Sequence, residues 1–259
     1  MNKIPVLYTT FNRLEYTKRT LPRLIEAIPE ADIYVVDNGS DDETLEYLWG
    51  FTKCSKVTGL ILSNHDSPFW LRINTSNIGI ANVMNWFFEV TQSCEWVSKV
   101  DNDTMVPAGW LPKMIEAAKV GNIDVLQAKH HFVIARYKNW NEMEQDRTVE
   151  NLNGCGKIVH YPFVGGAGIV IRRAAIKEDI KGSGHIFGWS VYQDTRPEIR
   201  SAFYPGVWID LLDMADYNKH ADDADMEYYV STGRLELKER DIHGNERVLI
   251  SNRHPKEEG

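Results

Sequence analysis

The chain alternates short apolar runs with segments whose apolar residues recur at helical spacing. Ile4 to Thr10 is a buried-strand run that ends in small polar residues. Leu14, Leu21, Leu24, Ile25 and Ile28 then follow at a helical period. Asn12 stands three residues before Glu15, the spacing of a capping box, and Phe11 and Tyr16 take the positions of a hydrophobic staple. Pro22 interrupts this pattern, so a kink or a later helix start is expected there. The design repeats. Ile33 to Val36 reads as a strand, Ser40 with Glu43 as a second capping box, and Leu45, Leu48 and Trp49 as an inward face. A short apolar stretch at Leu60 to Leu62 precedes a helix with Ile80, Val83, Met84, Phe87 and Phe88 on one side. Trp96 to Val100 reads as a strand, Trp110 to Ala118 as a helix, and Val125 to Ala128 as another strand.

Strands alternating with helices predict an α/β fold, a mostly parallel central sheet with helices on both faces. Sheets of this kind bind ligands beyond the carboxyl ends of their strands. Polar clusters after Tyr8, Val36 and Val100 fall at three such ends. The second half is less regular. Val164 to Arg173 is a glycine-rich approach to a strand, and "GSGHIFGWSVYQDTRPE" is loop-like with an acidic centre. From about Asp216 the chain is strongly charged, and "LELKERDIHGNERVLI" predicts a hairpin turning near Gly244 and Asn245. The expected organisation is one domain over residues 1–215, divided into halves at 1–105 and 106–215. A C-terminal appendage over 216–259 follows it.

Composition adds constraints. At 259 residues with 43% hydrophobic positions, the chain can bury a sizeable core. The formal net charge of -8 disfavours a protein built to grip nucleic acid or anionic membrane without excluding a local basic groove, since phosphate contacts need clustered Lys and Arg. Cys54, Cys94 and Cys155 are too few and scattered for a disulfide framework and fit reduced thiols. No run approaches the roughly 18 apolar residues of a transmembrane helix. A cytoplasmic protein is expected, with peripheral membrane association left open.

The chemistry centres on "VDNDT". Asp101 and Asp103, separated by Asn102 at the end of an apolar strand, can converge on one hard divalent cation or close a polar loop. Asp37 and Asn38 can bond a base or ribose, with Gly39 permitting the turn. Asn77 can cap the helix that follows it, and Gly79 can admit a ligand closely. His130, His160, His185, His220 and His243 show no H-x-x-x-H spacing.

The ordered series "TTFNR", "VDNGSDD", "NIGIANVMN", "VDNDT" and "GGAGIVIRR" resembles the family 2 glycosyltransferases of GT-A fold. The resemblance covers about Pro5 to Thr195 and implies a nucleotide-sugar-binding half at 1–105 and an acceptor half at 106–215. It implies Mn2+ or Mg2+ bridging the diphosphate of a nucleotide-sugar, with Asp103 as direct ligand and Asp101 at the ribose or a metal-bound water. It implies donor contacts from Thr9, Phe11, Arg13, Asp37, Asn38, Asn77, Asn85, Asp101 and Asn102. Asn38 stands where many members carry a second aspartate, so a UDP- or dTDP-sugar remains open. Inverting members use a carboxylate base after the glycine-rich strand, and the matching position here is Asp194 in "YQDT", with Glu198 in reserve. Asp194 can equally be a helix cap. Trp189 and Tyr192 can stack on an acceptor sugar or lie in the core. In "YPGVWIDLLDMAD" Asp210 and Asp213 occupy the neighbourhood of a further metal ligand, with His220 beyond, while Trp208, Ile209, Leu211, Leu212 and Met214 read as core. The implied acceptor is the hydroxyl of a glycan, a lipid-linked sugar or another molecule. A nucleotidyltransferase and a non-catalytic nucleotide-sugar binder are the alternatives.

Overall fold

The computed structural model describes residues 3–52, 62–63, 69–130, 140–181, 192–193, 195–212, 236–240 and 246–251. Its first half holds β1 (Pro5–Thr10), α1 (Leu14–Ala27), β2 (Asp32–Asp37), α2 (Thr44–Thr52), β3 (Leu62–Ser63), β4 (Phe69–Ile73), α3 (Ile80–Val90), β5 (Trp96–Asp101) and β6 (Thr104–Met105). Then follow α4 (Trp110–Val120), β7 (Val125–Lys129), α5 (Trp140–Asp146), β8 (Val149–Leu152), β9 (Gly156–His160), β10 (Ile169–Arg172), β11 (Ser201–Trp208) and β12 (Asp210–Leu211). A separate antiparallel pair, β13 (Glu236–Arg240) and β14 (Glu246–Ser251), forms the hairpin expected in the charged tail; its turn, with Gly244 and Asn245, lies outside the described residues.

Ten strands make one sheet in the order β3-β4-β2-β1-β5-β10-β7-β11-β9-β8. β1 pairs in parallel with both β2 and β5, β2 in parallel with β4, and β7 in parallel with β11. β10 runs antiparallel between β5 and β7 and so joins two parallel blocks that point the same way. Alternation along each strand feeds the two faces. Val6 and Tyr8 join α1 (Leu21, Leu24), α4 (Trp110, Met114) and Leu48 in one core. Leu7, Val97 and Ile171 turn the other way and meet Val83, Met84, Phe87 and Phe88 of α3. Full burial of each such aliphatic or aromatic side chain contributes about 1.5–3 kcal/mol.

The apolar periodicity located α1, α3 and α4, but its capping assignments fail. The N-cap of α1 is Arg13, in left-handed conformation at φ 63 and with no side-chain capping bond. Asn12 is left-handed too, at φ 54, and its side chain accepts from Asp41 N at 2.9 Å. Leu14 N donates not to a local residue but to Asp42, at 3.3 Å, and Asp42 also accepts from Thr44 N, two residues on, at 2.9 Å. Burial alone would raise the Asp42 carboxyl, but the bonds from Thr44 and Leu14 outweigh it and hold it below its ordinary value. Ser40 caps nothing: its hydroxyl contacts Asp37 and accepts from Asn12 N at 2.7 Å. Because β1 and β2 lie side by side, the loops after them supply each other with partners across 28 residues, which local spacing cannot reveal. α1 passes through Pro22 unbroken. The Lys18 carbonyl that loses its backbone donor there belongs to an exposed residue, where water can replace it.

Several strands escaped the periodic reading, among them β4 and β11. Phe69–Ile73 does alternate buried and half-buried positions, so β4 had a readable signal in a short segment. β11 carries Pro205 and Gly206, and its register with β7 shifts between Tyr204 and Trp208. The apolar reading of that stretch holds at Ile209 and Leu212, which are buried, while Met214 lies outside the described residues.

Candidate active site

The carboxyl ends of β1, β2 and β5 come together as the alternation requires. Thr9 is registered opposite Asp101, and the Thr9 hydroxyl donates to Asp101 Oδ1 at 3.3 Å. Asn102 between the two aspartates points inward: it is buried, its amide donates to Thr10 Oγ1 at 3.2 Å, and its carbonyl accepts from Thr20 Oγ1 at 2.8 Å. Anchoring Asn102 leaves its neighbours at the surface. The Asp103 side chain is 18% exposed and that of Asp101 32%. Arg13 reaches Asp103 at 3.6 Å, so the two left-handed residues before α1 bring a guanidinium over the loop. Two adjacent non-glycine residues at positive φ are strained, and such strain gathers where geometry serves a ligand.

The backbone beyond Asp103 is stitched to a distant segment. β6 pairs with β12, placing Asp210 opposite Met105, and Leu212 N donates to the Asp103 carbonyl at 2.7 Å. Asp210 itself accepts from the Trp208 indole at 3.2 Å. Among the described residues no three His, Cys, Asp or Glu side chains form a metal-holding group. Asp213 and His220 lie outside the described residues.

The asparagines form a second layer. Asn38 accepts from Asn74 at 3.0 Å and from Ile78 N at 3.1 Å, and donates to Asn77 at 2.8 Å. Asn77 also takes Gly79 N at 2.9 Å, at the start of α3. Asn85 grips both backbone groups of Ile180, at 2.8 and 3.1 Å, and so ties α3 to the chain after β10. Asp37 is fully buried; burial pushes its carboxyl above the ordinary value, partly offset by bonds from the Ser40 hydroxyl and amide. Phe11, by contrast, is 42% exposed beside Arg13. Gly39, at φ 85, lies against Ser76, whose carbonyl carbon would sit 2.5 Å from an added Cβ. Gly39→Ala is therefore expected to lower stability by about 3 kcal/mol. Chemical denaturation checks this, and a loss under 1 kcal/mol would contradict the close packing of the two loops.

Three residues that periodicity passed over hold the glycine-rich segment. Gln127 accepts from Gly165 N at 2.7 Å and donates to the Ala167 carbonyl at 3.0 Å. Gln193 accepts from Val164 N at 3.1 Å and donates to the Val164 carbonyl at 2.9 Å. Lys99 contacts Asp101 and donates to the Gly166 carbonyl at 3.0 Å. A lysine and a glutamine inside apolar strands were the available signal, since such groups are seldom buried without a partner. The glutamine of "YQDT" is thus a buried brace. Asp194 after it lies outside the described residues, as does Trp189. Tyr192 is buried under the Arg196 guanidinium, 3.8 Å from its ring, and belongs to the core; Glu198 is exposed.

With this geometry in place, the comparisons with known proteins converge. The family model described as glycosyl transferase family 2 matches residues 6–179. An undecaprenyl-phosphate mannosyltransferase of Micrococcus luteus is 23% identical over 121 residues, 47% of this chain and 46% of that one. Among solved structures, GalNAc-T7 with UDP, GalNAc and Mn2+ matches at TM-score 0.58 and 13% identity, over 90% of this chain and 51% of that one. The mannosyltransferase PcManGT of Pyrobaculum calidifontis with GDP-Man and Mn2+ matches at TM-score 0.59 and 14% identity, over 90% of this chain and 64% of that one. The chain thus spans about half the length of the curated relative, and the two structural likenesses establish the fold, GT-A.

Proposed function

The chain belongs to glycosyl transferase family 2, and we propose that it is an inverting, divalent-metal-dependent glycosyltransferase. Its donor is a nucleoside diphosphate sugar, and its acceptor is a hydroxyl on a glycan or lipid-linked molecule. The observation that carries this reading is the Asp101–Asp103 loop: two carboxylates at the carboxyl edge of β5, beside β1 and the glycine-rich segment.

The donor set fits a hard cation shared with a ligand. Magnesium and similar ions are commonly held by one or two carboxylates plus substrate phosphates rather than by an all-protein cage. Asp103 would hold the ion, and Asp101 would face the ribose or a bound water. The cation supplies charge stabilisation to the departing diphosphate. Arg13 adds a second positive group on the same side. Phe11, exposed next to it, is suited to pack on the nucleoside. Thr9 orients Asp101, whereas Asp37, Asn38 and Asn77 shape the loops that cup the base. Asn85 acts one step further out, through Ile180.

Asp194 is the proposed base. It takes the acceptor's proton as the acceptor oxygen bonds to the anomeric carbon; the bond from that carbon to the phosphate oxygen breaks, and its electron pair leaves with the diphosphate. The uridine or thymidine reading of the donor rests on Asn38 only through loop shape, because its side chain is largely engaged by Asn74, Asn77 and Ile78. The mannosyltransferase relatives add GDP-mannose as a donor to test, and the undecaprenyl-phosphate relative favours a lipid-linked acceptor. No helix among the described residues is long and apolar enough to cross a membrane. Such an acceptor would be met at the membrane surface.

A screen of UDP-, dTDP- and GDP-sugars with Mn2+, read by thermal shift and then by slow donor hydrolysis, tests the reading. One nucleotide-sugar should stabilise the protein only when the metal is present. A binder without chemistry would show the shift and no hydrolysis.

A further inference from the structure

Lys99 lies in the middle of β5 between Ser98 and Val100, and it is 3% exposed. Its ammonium contacts Asp101 Oδ1, which also accepts from Thr9 at 3.3 Å, and it donates to the Gly166 carbonyl at 3.0 Å. The enclosure is close. A Cβ on Gly166 would stand 3.0 Å from Lys99 Nζ and 3.8 Å from Asp101 Oδ2. Taking a lysine out of water is costly unless a carboxylate accompanies it, and Asp101 is that carboxylate.

The pairing changes what the two aspartates can offer a cation. Asp101 turns Oδ1 inward to Lys99 and Thr9, while Asp103 has the Arg13 guanidinium at 3.6 Å. Among the described residues each of the two carboxylates thus has a protein cation beside it, which offsets part of the negative charge that a divalent ion approaching alone would meet. A diphosphate brings the missing charge with it. We propose that Lys99 is a positioning residue that keeps Asp101 as an internal ion pair, so that the divalent cation is held firmly only together with a nucleoside diphosphate. The same ammonium ties the aspartate loop to Gly166, so the metal side and the glycine-rich side of the site move as one piece. This inference rests on the metal-dependent reading above.

The test is Mn2+ binding by the intact protein, read from the electron paramagnetic resonance of free Mn2+, alone and with UDP or GDP. Wild type should bind Mn2+ weakly alone and markedly tighter with a nucleotide. Lys99→Met removes the competing cation and should tighten binding of Mn2+ alone about tenfold. It should weaken the nucleotide's enhancement of Mn2+ binding by a similar factor. Adding Asp101→Asn to Lys99→Met restores the charge balance and should bring Mn2+ affinity back to within about threefold of wild type. Gly166→Ala, which leaves the lysine in the chain but crowds its ammonium, should shift Mn2+ affinity in the same direction by a smaller factor. A Lys99→Met protein no tighter than wild type for Mn2+ alone overturns the inference. So does wild type that binds Mn2+ equally well with and without nucleotide, or, should Lys99→Met not fold, an unchanged affinity in Gly166→Ala. Wild type that takes up no Mn2+ with either nucleotide overturns the metal reading, and the inference with it.

Discussion

Asp103→Ala is expected to abolish the Mn2+-dependent stabilisation of this protein by its nucleotide-sugar. The side chain removed is one of two carboxylates on the loop, and the one proposed to hold the ion, since Asp101 already meets Lys99 and Thr9. A ligand at about 100 times its Kd contributes roughly 2.7 kcal/mol of stability. For a domain of this size that moves Tm by roughly 5–10 °C. The variant should show none of this shift with metal and donor present, while its ligand-free Tm stays within a few degrees of wild type. The loop backbone is held independently, by Asn102 to Thr10 and Thr20 and by Leu212 to the Asp103 carbonyl. An undiminished Mn2+-dependent shift in Asp103→Ala would remove the metal from this loop.

The second large effect is expected at Asp194. Asp194→Asn keeps size and polarity but cannot accept a proton at the reacting hydroxyl, and a general base typically contributes about 10²–10⁴ in rate. kcat should fall by about 10³-fold, with donor binding and its Mn2+ dependence unchanged. Binding survives because Asp194 is separate from the aspartate loop in sequence, and the neighbouring Gln193 anchors the chain through Val164 and Ser201. Turnover within threefold of wild type would move the base elsewhere, with Glu198, exposed nearby, as the next residue to replace. The two variants separate the proposed roles: one loses binding, the other loses only transfer.

Much of the fold was legible because its signals are local. The apolar runs at Ile4–Thr10, Ile33–Val36 and Trp96–Val100 became three parallel neighbours, and the face of α3 was read residue by residue from Ile80 to Phe88. Where the reading failed, a distant partner had displaced a local one. Asn12 with Glu15 has capping spacing, yet the loop after β2 captures Asn12 and Leu14 through Asp41 and Asp42. Gln193, one residue before Asp194, gave no local sign of its role, and it is the clamp on Val164. Asn38 looked like a residue for the base, and its amide also binds the loop of Asn74, Asn77 and Ile78 to its own.

The sequence by itself determined the strand and helix alternation, the family, and the pair of aspartates at a strand end, because periodicity and motif order are properties of neighbours along the chain. Only the tertiary structure decided that those aspartates differ in kind. Lys99 precedes Asp101 by two residues, so the pleat turns both side chains to the same face, but the Gly166 carbonyl that completes the pairing arrives from 67 residues away. Arg13 reaches Asp103 from another strand end, 90 residues before it. Charge balance at the site depends on which groups end within a few ångströms of each other, and the Coulomb interaction follows that separation rather than distance along the chain.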